Sequence, residues 1–325
     1  MNIFLTGGSG FVGSHLIPYF LDQGHTVYAI ARSANSAEKV ATLGAKVVRD
    51  DLLSLSAPTE AALRECDLVV HSAAHMDFTY DPQPFYALNV DATKQLLSMA
   101  ETAGVQRFIY ISAAPVVPGS PIVGLREDEA AEGLPTALYP KTKAIGERAV
   151  LVANKPGFTT LSLRPPATWG ANNHHVEELF TMARKGRWRW IGGGRQVLST
   201  IHVKNLGAAV LAAAQAEVHG GEAYFVTDGD RRPMRTTFSA IMKAHGIEPG
   251  EKELPKDVAV FMAQLLGGIW RVLGLKSRPP IAPLMIRLMV NEFSVVDQKA
   301  RQELGYVNAL SFEEGIAELQ LTGVG

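Results

Sequence analysis

The chain begins MNIFLTGGSGFVGSHLIPYFLDQGH, a short apolar strand, a glycine-rich turn and an amphipathic helix joined with no residue to spare. The spacing Gly7-x-x-Gly10-x-x-Gly13 narrows what such a chain can fold into. Gly7 permits a sharp turn after the strand, Gly10 lacks the Cβ that would keep a ligand off the backbone, and Gly13 lets helix and strand pack closely. Val12, Leu16, Ile17 and Phe20 follow at helical spacing. The start of that helix aims N–H groups and the positive end of its dipole at the turn, which favours a phosphate there. The pattern predicts a unit that holds a dinucleotide pyrophosphate, with Phe11 and Val12 beside the glycines in its cradle.

Strand-like and helix-like periodicity then alternates. Residues 26–31, 45–49, 68–71, 107–112 and 160–163 read as short, nearly continuous apolar strands, which implies burial on both faces. Helices are expected at about 11–23, 58–65, 84–103 and 140–154. Right-handed crossovers of this kind make an α/β, Rossmann-type, doubly wound parallel sheet. Residues 201–216 and 223–226 return to it, so residues 1–164 and 196–228 form the expected NAD(P)-binding domain. Residues 165–195 and 229–325 form a smaller, mainly helical substrate-binding domain, discontinuous in sequence. Ligands lie at the carboxyl ends of such strands, which selects Gly7 to Gly13, Arg32, Asp51, His71 to Phe78, Ser112 and the segment after Arg164.

Composition excludes several classes. A 47% hydrophobic content over 325 residues supports a substantial core, and a net charge of -1 with dispersed basic residues argues against a nucleic-acid partner. The one cysteine, Cys66, precludes an internal disulfide framework and fits a reducing, cytoplasmic setting. The chain starts directly on a strand, so no signal peptide is expected. His174 and His175 are adjacent on an expected loop without a third ligand, so no metal is expected. The acidic run Glu127 to Glu129 reads as a solvated loop.

The second constraint is Tyr139-Pro-Lys-Thr-Lys143, after the 107–112 strand and at the entrance of a helix. Tyr and Lys four apart share a helix face, and of eight tyrosines only Tyr139 has a lysine four residues on. Such a pair suits proton transfer to or from a carbonyl or alcohol oxygen during hydride transfer. A phenol has a pKa of about 10, and an adjacent ammonium is expected to lower it. Lys143 can also hold the cofactor's ribose hydroxyls.

At this point the chain resembles the extended short-chain dehydrogenase/reductase family, in its 3β-hydroxysteroid dehydrogenase-like, NAD(P)-dependent epimerase-dehydratase branch. The resemblance runs over essentially the whole chain and rests on TGGSGFVG, Asp51-Leu52, His71-Ser-Ala-Ala74, Asn89-Val90 with Thr93, the Tyr139 and Lys143 pair, and LRPPATWG from Leu163 to Gly170. It implies that Tyr139 and Lys143 are catalytic, that Asp51 and Leu52 cover the adenine, that Ala73 and Ala74 line the cofactor channel with Pro166 beyond the last strand, and that Asn89 lies near the relay from Lys143. One position departs from the family. Adjacent hydroxyl residues usually end the fifth strand, and the second of them bonds the reacting oxygen; here the stretch reads Ser112-Ala113. Strand side chains alternate faces, so Ser112 replaces a hydroxyl at 113 only if the strand bulges or turns there.

An acidic residue that would bind the ribose of NAD is missing at the end of the second strand, where Arg32 and Ser33 suit a 2′-phosphate. NADP(H) is therefore expected ahead of NAD(H). Trp169, Trp188 and Trp190 offer apolar surface either to substrate or to the core, and His75 and Ala113 are the other candidate substrate contacts. The apolar stretches 258–275 and 283–290 are too broken or too short to span a bilayer. They suit a buried cap, a lid over a greasy substrate, or a helix lying on lipid. The resemblance implies a hydrophobic ketone or alcohol as substrate, and homodimers are common in the family. A nucleotide-sugar epimerase or dehydratase, with Arg187, Arg189, Arg195 and Arg287 over a diphosphate, is the second reading. A cofactor-binding protein weakened by Ala113 is the third.

Overall fold

The computed structural model describes residues 1–173 and 176–322; His174 and His175 lie outside the described residues. Seven parallel strands form the central sheet in the order Glu222–Phe225, Thr159–Arg164, Arg107–Ile111, Leu68–His71, Asn2–Thr6, Thr26–Ile30, Lys46–Val48. The chain starts in the middle and winds outward in both directions, the Rossmann arrangement. Alternation along the strands feeds two cores. Ile3, Leu5, Ile109 and Ile111 face the helices Phe11–Asp22 and Val203–Gln215, while Phe4, Val69, Phe108 and Tyr110 face Ala57–Arg64, Ala92–Thr102 and Leu138–Val152.

Several sequence expectations change in detail. The single helix expected over 84–103 is Pro82–Tyr86, a π-helical turn at Ala87–Asp91 and Ala92–Thr102. A further helix, Ala34–Thr42, escapes a periodicity search because it buries only Val40. Residues 200–202 form a strand paired with Ala167–Trp169 in a separate two-stranded sheet, before the Val203–Gln215 helix returns to the main sheet. The Glu127 to Glu129 run is not wholly solvated: Glu127 accepts the Phe225 backbone N–H at 2.6 Å, and burial raises its pKa. After residue 229 the chain is mainly helical, with Met234–Ala244, Lys256–Val272, Pro283–Val290 and Phe312–Thr322 as its longer elements. Among the described residues no helix is long and apolar enough to cross a membrane.

Candidate active site

The glycines of the opening turn form a cradle that side chains would fill. Gly7 has φ +72°, and a Cβ on it would meet the Ala73 backbone N at 2.8 Å, so two strand ends close on each other there. A Cβ on Gly13 would lie 2.2 Å from the Gly7 carbonyl oxygen. Gly13 thus serves the turn itself, a tighter constraint than helix-sheet packing. Gly10 caps the Phe11–Asp22 helix without a side chain, which leaves the first-turn amides of Phe11, Val12 and Gly13 for an anion. These residues fit the pyrophosphate of a dinucleotide.

A buried network ties this cradle to the rest of the site. The Thr6 hydroxyl accepts the Ala73 N–H at 3.0 Å and contacts His71 Nδ1 at 2.7 Å. His71 Nε2 lies 2.9 Å from the Thr93 hydroxyl, which itself donates to the Asn89 carbonyl at 3.0 Å. Because Thr93 has spent its proton, His71 donates from Nε2 and Thr6 donates to Nδ1, so one neutral tautomer satisfies every group. Full burial, with the Lys143 charge adding to it, pushes His71 down to about 3 and keeps it neutral. The Asn89 amide donates to the His75 carbonyl and to the Thr142 hydroxyl, each at 3.0 Å, and accepts the His75 N–H at 2.7 Å. Asn89 thus ties the 72–80 loop to the Tyr139 helix. The His75 ring packs edge-on against Phe85, with centroids 4.5 Å apart.

Tyr139 and Lys143 both lie on the first two turns of Leu138–Val152. Lys143 is fully buried, donates to the Ile111 carbonyl at 2.7 Å and stands 3.9 Å from the centroid of the Tyr110 ring. Loss of hydration lowers it to about 7, against the opposing pull of Glu147 one turn on. Glu147 is neutralised in turn by Arg164, at 2.7 Å, and accepts the Ser162 hydroxyl. The expected depression of the Tyr139 phenol is not found: burial raises it to about 12. Desolvation of the phenol prevails, while the ammonium is shared with the Ile111 carbonyl and the Tyr110 ring.

The end of the fifth strand does not bulge. Ser112 N donates to the Leu163 carbonyl and Ala114 N to the Pro165 carbonyl, both at 2.8 Å, and Ala113 between them is extended at φ −156°, ψ 145°. Ser112 and Ala113 therefore point to opposite faces, and Ser112 does not take the place of a hydroxyl at 113. Ala113 packs in the cluster on which Tyr139 rests. The Ser112 hydroxyl is buried and has no hydrogen-bond partner among the described residues.

One side of Tyr139 opens on a cavity of about 570 Å³, lined chiefly by Phe78, Tyr80, Leu138, Trp270, Leu275 and Leu284, with Arg271 and Arg287 at its edge. A smaller apolar cavity of about 270 Å³ adjoins it through Thr136, Ala137, Leu284 and Arg287. The lining from the helices Lys256–Val272 and Pro283–Val290 carries no sequence motif, and only their apolar character signalled it.

Other candidate residues fall elsewhere. Trp169 is buried, with its indole N–H on Asp228 Oδ2 at 2.8 Å and its ring on His202 and Phe312, so its faces are committed to the core. Trp188 and Trp190 are likewise core residues, stacked edge to face at 5.3 Å. The Ser33 hydroxyl caps the Ala34–Thr42 helix in a reciprocal bond with Ser36, while the exposed Arg32 guanidinium has no partner among the described residues. Arg49, which the sequence reading missed, donates to the Ser33 carbonyl at 2.6 Å. Asp51 turns its carboxylate to the Leu53 N–H, Leu52 is buried, and Ala74 and Pro166 follow their strands as expected. Cys66 is buried and pushed up to about 12, chiefly by burial, so its thiol is inert.

A Rossmann-type sheet with this cradle, and a Tyr-Lys helix beside an apolar cavity, defines a nicotinamide-dependent oxidoreductase of the extended short-chain dehydrogenase/reductase class. The chain belongs to the 3-beta hydroxysteroid dehydrogenase/isomerase family, which it matches over residues 4–256. It is 35% identical to the 4-hydroxy-2-methyl-3-oxo-4-farnesyl-3,4-dihydroquinoline-1-oxide ketoreductase of Stigmatella aurantiaca, over 99% of this chain and 97% of that one. It is 30% identical to the decarboxylating sterol-4-alpha-carboxylate 3-dehydrogenase of Dictyostelium discoideum (98% and 99% covered) and to the 2-alkyl-3-oxoalkanoate reductase of Stenotrophomonas maltophilia strain K279a (98% and 98%). The fold is shared with the Thermus thermophilus UDP-glucose 4-epimerase in complex with NAD, at TM-score 0.75 and 21% identity over 100% of this chain and 99% of that one.

Proposed function

We propose that the protein reduces a ketone on an apolar substrate with NADPH, Tyr139 giving the proton. The observation that carries this reading is the placement of Tyr139, a phenol held protonated by burial at the wall of an apolar cavity. The glycine cradle would hold the cofactor, which would supply a hydride to the carbonyl carbon. Tyr139 passes its phenolic proton to the carbonyl oxygen as that oxygen gains charge, which yields the secondary alcohol. Lys143, held by Ile111 and Tyr110, keeps a positive charge behind Tyr139 that eases the departure of the proton. A phenol raised to about 12 stays protonated at neutral pH, so the proton that reduction consumes is in place.

The free Arg32 guanidinium, with Arg49 braced on the Ser33 carbonyl and the Ala34–Thr42 helix start nearby, supports NADP(H) over NAD(H). The expected substrate combines an apolar body with an acidic group. Arg287 has no acidic partner among the described residues and lies where the two cavities meet, and two relatives are named for carboxylate-bearing compounds. The nucleotide-sugar reading has less support: of Arg187, Arg189, Arg195 and Arg287, the lining beside Tyr139 includes only the last. The test is NADPH and NADH consumption by the purified protein with apolar ketones and long-chain β-keto acids, alongside Tyr139→Phe. Turnover of an apolar ketone with NADPH, lost in Tyr139→Phe, supports the reading; unchanged turnover in Tyr139→Phe overturns it.

A further inference from the structure

The Lys256–Val272 helix is turned inside out. Its buried positions are the small residues Ala259, Ala263 and Gly267, spaced four apart on one face. Gly267 lies so close to Pro283 and Tyr80 that a Cβ there would meet the proline ring at 2.7 Å. The opposite face carries Val258, Phe261, Met262, Leu265, Ile269 and Val272, all exposed, with Phe261 at 64% and Val272 at 87%. These positions follow the i, i+3, i+4, i+7 rule, so they form one stripe along the helix. Leu273 and Leu275 extend it past the helix end, and no charged residue occurs from Val258 to Trp270. Helices of globular proteins place large apolar residues inward, so a helix that turns them outward along one face presents a contact surface.

We infer that this face rests on a lipid surface, with the helix lying in the plane of the interface. Cations flank the stripe, Lys256 at its start and Arg271 at its end, with Asp257 the one acid on the helix; Lys276, just beyond, is paired with Asp81 at 3.5 Å. Basic residues bordering an apolar stripe are what an anionic headgroup layer attracts. The stripe is also too narrow to hold a second copy alone. A 17-residue helix offers a face about 25 Å by 10 Å, about 250 Å² against the roughly 800 Å² per partner of a stable interface. The same helix end places Trp270, Arg271, Gly274 and Leu275 on the wall of the Tyr139 cavity. A molecule dissolved in the lipid thus reaches the cavity beside the helix without crossing water.

Vesicle flotation of the full-length protein tests the inference, and it needs no turnover, so its outcome is separate from that of the reductase reading. Wild type is expected to float with phosphatidylcholine vesicles that contain phosphatidylglycerol. The Phe261→Glu, Leu265→Glu double variant, which alters neither cavity wall, is expected to float at least tenfold less while keeping the wild-type circular dichroism and melting temperature. Three results would overturn it: wild type left at the bottom of the gradient, the variant floating as wild type does, or light scattering that shows a wild-type dimer split by the same two substitutions. The last would assign the stripe to a second copy.

Discussion

The Lys143 ammonium and the Tyr110 ring face each other at 3.9 Å, and the Ile111 carbonyl accepts from the same ammonium at 2.7 Å. A wholly buried cation needs replacements for its water, and a π face plus one carbonyl provide only part of what water gave. Burial therefore prevails and brings Lys143 to about 7, into the physiological range. The charge behind Tyr139 becomes a function of pH.

Removal of that ring should move the pH dependence of the reaction. The rate of ketone reduction is expected to fall as pH rises through about 7, because Lys143 loses its proton there while Tyr139, raised to about 12, keeps its own. Tyr110→Leu removes a desolvated cation–π contact of about 2 kcal/mol, which moves that limb down by about one pH unit or more. Tyr110→Phe keeps the ring and should keep the limb. The kcat/KM profile with NADPH checks both, and identical limbs in the two variants would dissociate Tyr110 from Lys143.

The same lysine gives stability a definite slope. Its pKa is about 7 when folded and 10.5 when solvated. Below pH 7 both states carry the proton and the full burial penalty is present. Between pH 7 and 10.5 the unfolded chain binds a proton that the native one does not, so the penalty fades as pH rises. Lys143→Met lacks this term. The stability of wild type relative to the variant should therefore increase from pH 7 to pH 10 in urea titrations, and a constant difference would show that Lys143 is not desolvated.

Ala113 is a further test point, because the strand runs straight through it. If the site lacks a second donor to the reacting oxygen, Ala113→Ser restores one, and kcat should rise about tenfold or more, given the 10² to 10³ that such donors are worth elsewhere. Ser112→Ala should change kcat less than about twofold. The reverse pattern would mean that Ser112 reaches the substrate after all.

Much of this was legible in the chain because it rests on local constraints. Gly7 and Gly13 are required by contacts within seven residues of each other or by one neighbouring strand end, and Tyr139 and Lys143 share a helix face by spacing alone. What escaped the sequence depends on long-range packing. The spacing put an ammonium near a phenol but did not say that the ammonium would turn to Tyr110, from a strand 32 residues away from Lys143 in its nearest bond. Asp228 escaped altogether. Its carboxylate gathers Trp169, Thr200, the His202 N–H and Asn205, which removes Trp169 from the substrate side. The helices that cover the cavity carry only an apolar signal, which packing, lid and lipid contact share.

Cofactor preference can be read at one exposed side chain. Arg32 has no partner among the described residues, so its removal breaks nothing in the folded protein, and any effect reports on what it holds when ligand is bound. A charge-assisted bond to a 2′-phosphate is worth about 1.5 to 3 kcal/mol, or roughly 10- to 100-fold in affinity. Arg32→Ala is therefore expected to raise the NADPH dissociation constant by at least tenfold, leave that for NADH within about twofold, and leave the melting temperature unchanged. Arg49→Ala should act in the same direction but more weakly, because part of its hydrogen bonding is spent on the Ser33 carbonyl. Titration of both variants with the two cofactors by fluorescence decides it. Equal losses for NADPH and NADH would place Arg32 on a feature common to both cofactors and remove the ground for NADP(H) selectivity.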